Sequence, residues 1–110
     1  MDTRLDYCET IKKILRDYVA YYWQGGVNLH TLFDESQKSY LLLKMGWQGN
    51  KYLHHAPIHI EIINNKIWIQ NDDTEEGIAT DLLEAGVPKE HIVLGFHYPS
   101  IRPYTEFAAA

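Results

Sequence analysis

The stretch from Ile58 to Gly95, IHIEIINNKIWIQNDDTEEGIATDLLEAGVPKEHIVLG, decides the fold. Its apolar residues first alternate as a strand requires, with Ile58, Ile60 and Ile62 on one side and His59 and Glu61 on the other. Asn64-Asn65 follows, two residues that tolerate the positive φ of a tight type I′ hairpin turn. That turn pairs Ile63 with Lys66, Ile62 with Ile67, Glu61 with Trp68 and Ile60 with Ile69. Ile60, Ile62, Ile67 and Ile69 then share one face, and a slip of one residue would split them between core and water. His59, Glu61, Trp68 and Gln70 share the other face.

Beyond the hairpin, Asp73 and Glu76 have the spacing of a capping box, and the acidic run Asp72–Glu76 suits the positive end of a helix dipole. Carboxylates at this density can hold Mg²⁺, but the spacing fits a cap, and no lysine follows Glu61 in the acid-x-Lys pattern of a nuclease strand. The run is read as helix capping, with no metal site and no cofactor. A helix over about 74–85 is expected, burying Ile78, Leu82 and Leu83, stopped by Gly86 and followed by Pro88. Ile92-Val93-Leu94 reads as a short buried return strand.

Outward from this stretch, Leu5, Cys8, Ile11, Leu15, Tyr18, Val19 and Tyr22 recur at helical steps. They define an amphipathic helix from about Arg4 to Trp23, with Thr3 as N-cap, a Glu9–Lys13 pair on its wet side and Gly25-Gly26 as its stop. Cys8 lies in the apolar stripe and reads as a structural thiol. Val27–Phe33 reads as a first strand. In Tyr40–Trp47 the residues Leu41, Leu43, Met45 and Trp47 alternate with Tyr40, Leu42 and Lys44, and a four-residue turn at Gln48–Lys51 pairs Trp47 with Tyr52, Leu43 with Ala56 and Leu41 with Ile58. That register puts the Leu41 row on the isoleucine face. Pro57 has no N–H for the ladder, so a bulge or bend is expected there. His54, His55 and His59 lie around it; with no third ligand assured they read as surface or partner-contact residues. The tail after Gly95 is aromatic and broken by Pro99 and Pro103; it either covers its own sheet or packs on another subunit.

These elements predict a single α+β domain over residues 1–110. A mainly antiparallel meander of four to five strands would carry an N-terminal amphipathic helix and a second helix on one side. Ten Lys+Arg against fifteen Asp+Glu give a net charge of −5, the opposite of what neutralising phosphates requires. One cysteine, no signal-peptide core and no long apolar run point to a cytoplasmic protein. No catalytic set is recognisable, and the expected class is a non-enzymatic interaction protein. The candidate interaction surface is Trp68, His59, Glu61, His97, Tyr98, Arg102, Tyr104 and Phe107. An edge strand and the apolar tail further suggest a homo-oligomer.

Ile58-His59-Ile60, Lys66-Ile67-Trp68-Ile69-Gln70, Asp73–Ala79 (DTEEGIA), Gly86–Glu90 (GVPKE) and Ile92–His97 (IVLGFH), with Phe107-Ala108 near the end, resemble the XisI-like family of cyanobacterial fdxN element excision controlling factors. The resemblance implies an accessory role in developmentally regulated excision of a DNA element. It also implies partners: a companion protein encoded by the neighbouring gene and a site-specific recombinase. Two other roles remain open. A DNA-binding accessory factor of site-specific recombination would gather Lys38, Lys44, Lys51, Lys66, Lys89 and Arg102 on one surface. An acidic, antitoxin-like inhibitor would restrain a nuclease-like neighbour.

Overall fold

In the computed structural model, residues 6–22, 27–74 and 77–110 are described; for Tyr22 this covers the backbone alone. Helix α1 (Tyr7–Tyr22) precedes strands β1 (Val27–Asp34), β2 (Ser39–Gln48), β3 (Lys51–Ile63) and β4 (Lys66–Asp72). Helix α2 (Ile78–Glu84) and the short strand β5 (Ile92–Leu94) follow. The five strands form one sheet in chain order. The first four are antiparallel. Strand β5 runs parallel to β4, the direction made possible by the α2 crossover.

The hairpin of β3 and β4 has the expected register, from Ile63↔Lys66 to Ile60↔Ile69. Asn64 and Asn65 both take positive φ, 52° and 62°. Ile58, Ile60, Ile67 and Ile69 are fully buried, together with Ile11 and Leu15 of α1, Ile78 and Leu82 of α2, and Ile92 of β5. Both helices therefore cover the same sheet face. Arg16 of α1 extends this contact by lying 5.3 Å from the centre of the Phe33 ring.

The face of β2 differs from expectation. Tyr40 and Leu42 are the fully buried residues, whereas the row Leu41, Leu43, Met45 and Trp47 points away from the helices. Trp47 does pair with Tyr52, but across a two-residue turn, and the register shifts by one between Lys44↔His55 and Leu42↔Ile58. Ala56 and Pro57 together oppose Leu43 at this point, as in a β-bulge. Asn71 Nδ2 donates to the Ala56 carbonyl at 2.7 Å and the Asp73 N–H to the Pro57 carbonyl at 2.8 Å. The bulge expected at Pro57 thus exists, and it replaces the Leu41↔Ile58 pairing by Leu41↔His59.

Both helix starts also differ. Helix α1 begins at Tyr7, later than Arg4, and Asp6 caps it: its carboxylate accepts from the Glu9 N–H at 3.2 Å. Glu9 pairs with Lys12 at 2.8 Å, while Lys13 takes Asp17 at 2.6 Å, so the Glu9–Lys13 pair is replaced. Helix α2 begins at Ile78, later than residue 74, and is served by Asp72 in place of Asp73. Asp72 Oδ1 accepts from the N–H and hydroxyl of Thr74 at 3.0 and 2.5 Å, and Oδ2 accepts from the Ile78 N–H at 2.6 Å. This carboxylate turns the chain through a loop before the helix begins, a more local alternative to a capping box. Thr3, Leu5, Trp23, the Gly25-Gly26 stop and Glu76 of the expected capping box lie outside the described residues. At the other end of α2, Gly86 takes φ 103°. Its N–H donates to the Leu83 carbonyl and that of Val87 to the Leu82 carbonyl, both at 3.0 Å, which is a Schellman stop.

Candidate functional site

The sheet face opposite the helices and the tail folded across part of it contain the expected interaction residues. On that face β4 presents Trp68, β3 presents His59 and Glu61, and β2 presents the Leu41 row. The tail reaches over the β4–β5 side. Ala108 forms a parallel bridge to Val93, and its N–H donates to the Ile92 carbonyl at 2.9 Å. Val93, whose side chain lies on the Trp68 side, is fully buried.

Arg102 fastens the tail. Its guanidinium carbon lies 5.1 Å from the centre of the Trp68 ring, and Nε and a terminal nitrogen donate to the carbonyls of His97 and Gly95 at 3.1 and 3.2 Å. The planar guanidinium can stack and donate at once, as a lysine cannot. Gly95 permits the approach: a Cβ there would meet Gln70 Oε1 at 2.7 Å and both the Ile69 carbonyl oxygen and a Trp68 ring carbon at 3.2 Å. Thr105 closes the last turn, its hydroxyl donating to the Arg102 carbonyl at 2.9 Å and accepting from the Phe107 N–H at 3.2 Å.

Among the expected residues, Trp68 and Arg102 are therefore in contact, and His97 joins them through its carbonyl. Phe107 packs partly buried against the core. Tyr98 and Tyr104 project from the tail, 74% and 89% exposed. His59 and Glu61 belong to a polar row beside Trp68. Ser39 Oγ lies 3.0 Å from His59 Nε2, His59 Nε2 lies 3.9 Å from Glu61 Oε1, and Gln70 Nε2 donates to Glu61 Oε1 at 3.2 Å. The histidine cluster is divided: His55 pairs with Lys44 and lines a cavity under α1, while His54 stacks on Tyr52 on the far face. Among the described residues no group of three His, Cys, Asp or Glu side chains could hold a metal ion, and no helix is long and apolar enough to cross a membrane.

The Leu41 row was missed as an exposed feature because its apolar character was assigned to the core. Its residues Leu41, Leu43 and Met45 are half-buried, and Trp47 with the neighbouring Leu32 and Tyr52 is open, the three being 62%, 49% and 52% exposed. The Trp47 and Tyr52 rings lie 5.1 Å apart. On the helix side, an open cleft of about 990 Å³ between α1 and α2 is acidic, lined by Asp17, Asp73, Asp81 and Glu84 with one lysine, Lys13. Two of the cations a DNA-binding surface would gather lie on opposite sides of the sheet. Lys44 lies on the helix side with His55, and Arg102 lies on the tail side.

The whole architecture has crystallographic counterparts. A XisI-like protein from Anabaena variabilis ATCC 29413 is 34% identical, with a TM-score of 0.86 over 94% of this chain and 96% of that one. The fdxN element excision controlling factor XisI from the same organism is 40% identical, with a TM-score of 0.78 over the same shares. No curated protein is a significant match. The family model described as XisI protein matches residues 1–109. With that match across nearly its full length, this chain belongs to the XisI family.

Proposed function

We propose that this protein is a non-enzymatic accessory factor that controls excision of a DNA element through a companion protein. The supporting observation is its 40% identity to an excision controlling factor across 94% of the chain. The candidate contact surface is the tail side of the sheet. There Trp68 and Arg102 hold the chain in place, and Tyr98 and Tyr104 stand free as aromatic anchors of the kind that dominate interfaces. The test is binding of the purified chain to the protein encoded beside it, by calorimetry. A Kd of about 1 μM or tighter is expected, weakened roughly tenfold or more in a Tyr98→Ala, Tyr104→Ala double variant. No heat of binding at about 100 μM would reject the reading.

The acidic cleft between α1 and α2 favours a second reading, in which the companion is a basic, nuclease-like protein restrained by this one. Expression of the companion alone would then be toxic and co-expression would relieve it. A harmless companion removes this reading.

A further inference from the structure

Strand β2 has the sequence of a strand covered on both sides. From Tyr40 to Leu43 every residue is apolar, and Met45 and Trp47 continue the outward row. Near-continuous apolar runs belong to strands buried on both faces, whereas a half-solvated strand alternates with polar residues. Here the helices cover only Tyr40 and Leu42. Among the described residues no layer covers the outward row, whose ladder neighbours on the same face are Leu32 and Tyr52 at its ends and Asn28, His30, His54 and His59 between them.

We propose that this face, Leu32, Leu41, Leu43, Met45, Trp47 and Tyr52, is the contact surface for a second copy of the same chain, joined face to face. Charge and size both favour that occupant. None of the six residues is charged, and Glu61 stands at the margin of the face beside His59, so a twofold-related copy brings few like charges together although each chain carries −5 overall. A basic partner would gain little from this face, where Glu61 is a marginal carboxylate, and more from the cleft on the opposite side of the sheet, which Asp17, Asp73, Asp81 and Glu84 line. Three strands about 4.8 Å apart and about ten residues long make a footprint on the order of 500 Å². Relief from Trp47 and Tyr52 raises the area that can be removed from water toward the ~800 Å² per partner of a stable complex. Face-to-face sheets pack about 10 Å apart with interdigitated side chains. The tilted Trp47–Tyr52 pair at one end of the patch supplies its aromatic anchor.

Sedimentation equilibrium on the full chain tests the proposal. The wild type should be a dimer at about 50 μM, with Kd at or below about 10 μM. Leu43→Glu, at the centre of the patch, and Trp47→Lys, at its exposed end, should each raise Kd at least about a hundredfold, because each buries an unpaired charge in the joint. Tyr104→Glu, on the tail, should leave the dimer unchanged. Circular dichroism and thermal melting establish that each variant is folded; if Leu43→Glu fails to fold, Trp47→Lys decides. A monomeric wild type at about 200 μM overturns the proposal. So does a dimer that survives Trp47→Lys, or a dimer abolished by Tyr104→Glu. If the wild type is monomeric and Trp47→Lys abolishes companion binding instead, the face belongs to the companion and the second-copy assignment is wrong.

Discussion

The Asp72 carboxylate accepts a hydrogen bond from the Ile78 N–H at 2.6 Å, across six positions of chain. A residue at the end of β4 thereby fixes the start of α2. Asp72→Ala removes three hydrogen bonds of one carboxylate, two from Thr74 in the loop and one from the Ile78 N–H, the first of the helix. A loss of about 1–2 kcal/mol is expected, read as a fall of about 4–10 °C in melting temperature. An unchanged melting temperature would show that the loop finds its own caps.

The tail should be held more by Arg102 than by its own apolar content. Arg102→Ala is expected to cost about 1–3 kcal/mol from the lost stacking and two carbonyl bonds. It should also expose residues 96–110 to limited proteolysis and alter Trp68 fluorescence. Arg102→Lys should restore only part of this, since an ammonium cannot stack and reach both carbonyls. Equal protection in the wild type and the alanine variant would assign the anchoring to Phe107 and Ala108.

Tyr40 presents an opposite expectation. Its ring is fully buried against Phe33, with centroids 5.7 Å apart, yet its hydroxyl is buried without a hydrogen-bond partner. Burial, followed by the neighbouring Cys8 thiol, pushes its pKa up. Tyr40→Phe removes an unsatisfied polar atom while preserving the packing, so stability should hold or rise by up to ~1 kcal/mol in chemical denaturation. A loss greater than that would show that the thiol is a stronger acceptor than sulfur usually is.

At the β1–β2 turn, the Ser36 hydroxyl and then the Gln37 N–H hold the Asp34 carboxyl below its ordinary value. A carboxylate depressed in the folded state stabilises it above the unfolded pKa, and that contribution disappears as pH falls through the folded value. Wild type and Asp34→Asn should therefore differ in stability at pH 6, and the difference should shrink below about pH 4. The NMR titration midpoint of Asp34 should lie below 3.8. A midpoint at or above 3.8 contradicts the assignment.

Elements written in short-range chemistry were legible in the sequence. Asn64-Asn65 specified a turn, the turn specified the isoleucine register, and Gly86 specified the end of α2. The orientation of β2 was not legible, because Leu41 and Leu43 are as apolar as Tyr40 and Leu42 and alternation cannot choose between them. Pro57 signalled the bulge, but the change of register it imposes acts on a different strand. The start of α2 was obscured by the neighbours Asp72 and Asp73, either of which has the chemistry of a cap. The Trp68–Arg102 contact joins residues thirty-four positions apart and left no local trace. Both residues were nonetheless marked as surface candidates from the alternation of β4 and the character of the tail.

The extra residue at Ala56-Pro57 acts as a parity bit for the whole molecule. Two leucine rows of nearly equal greasiness run along β2, and a single count in the adjoining strand settles which meets the helices and which is displayed. A lineage that lost this residue could turn β2 inside out with no change in its own letters. Retaining a proline there keeps the outward row a stable target for natural selection.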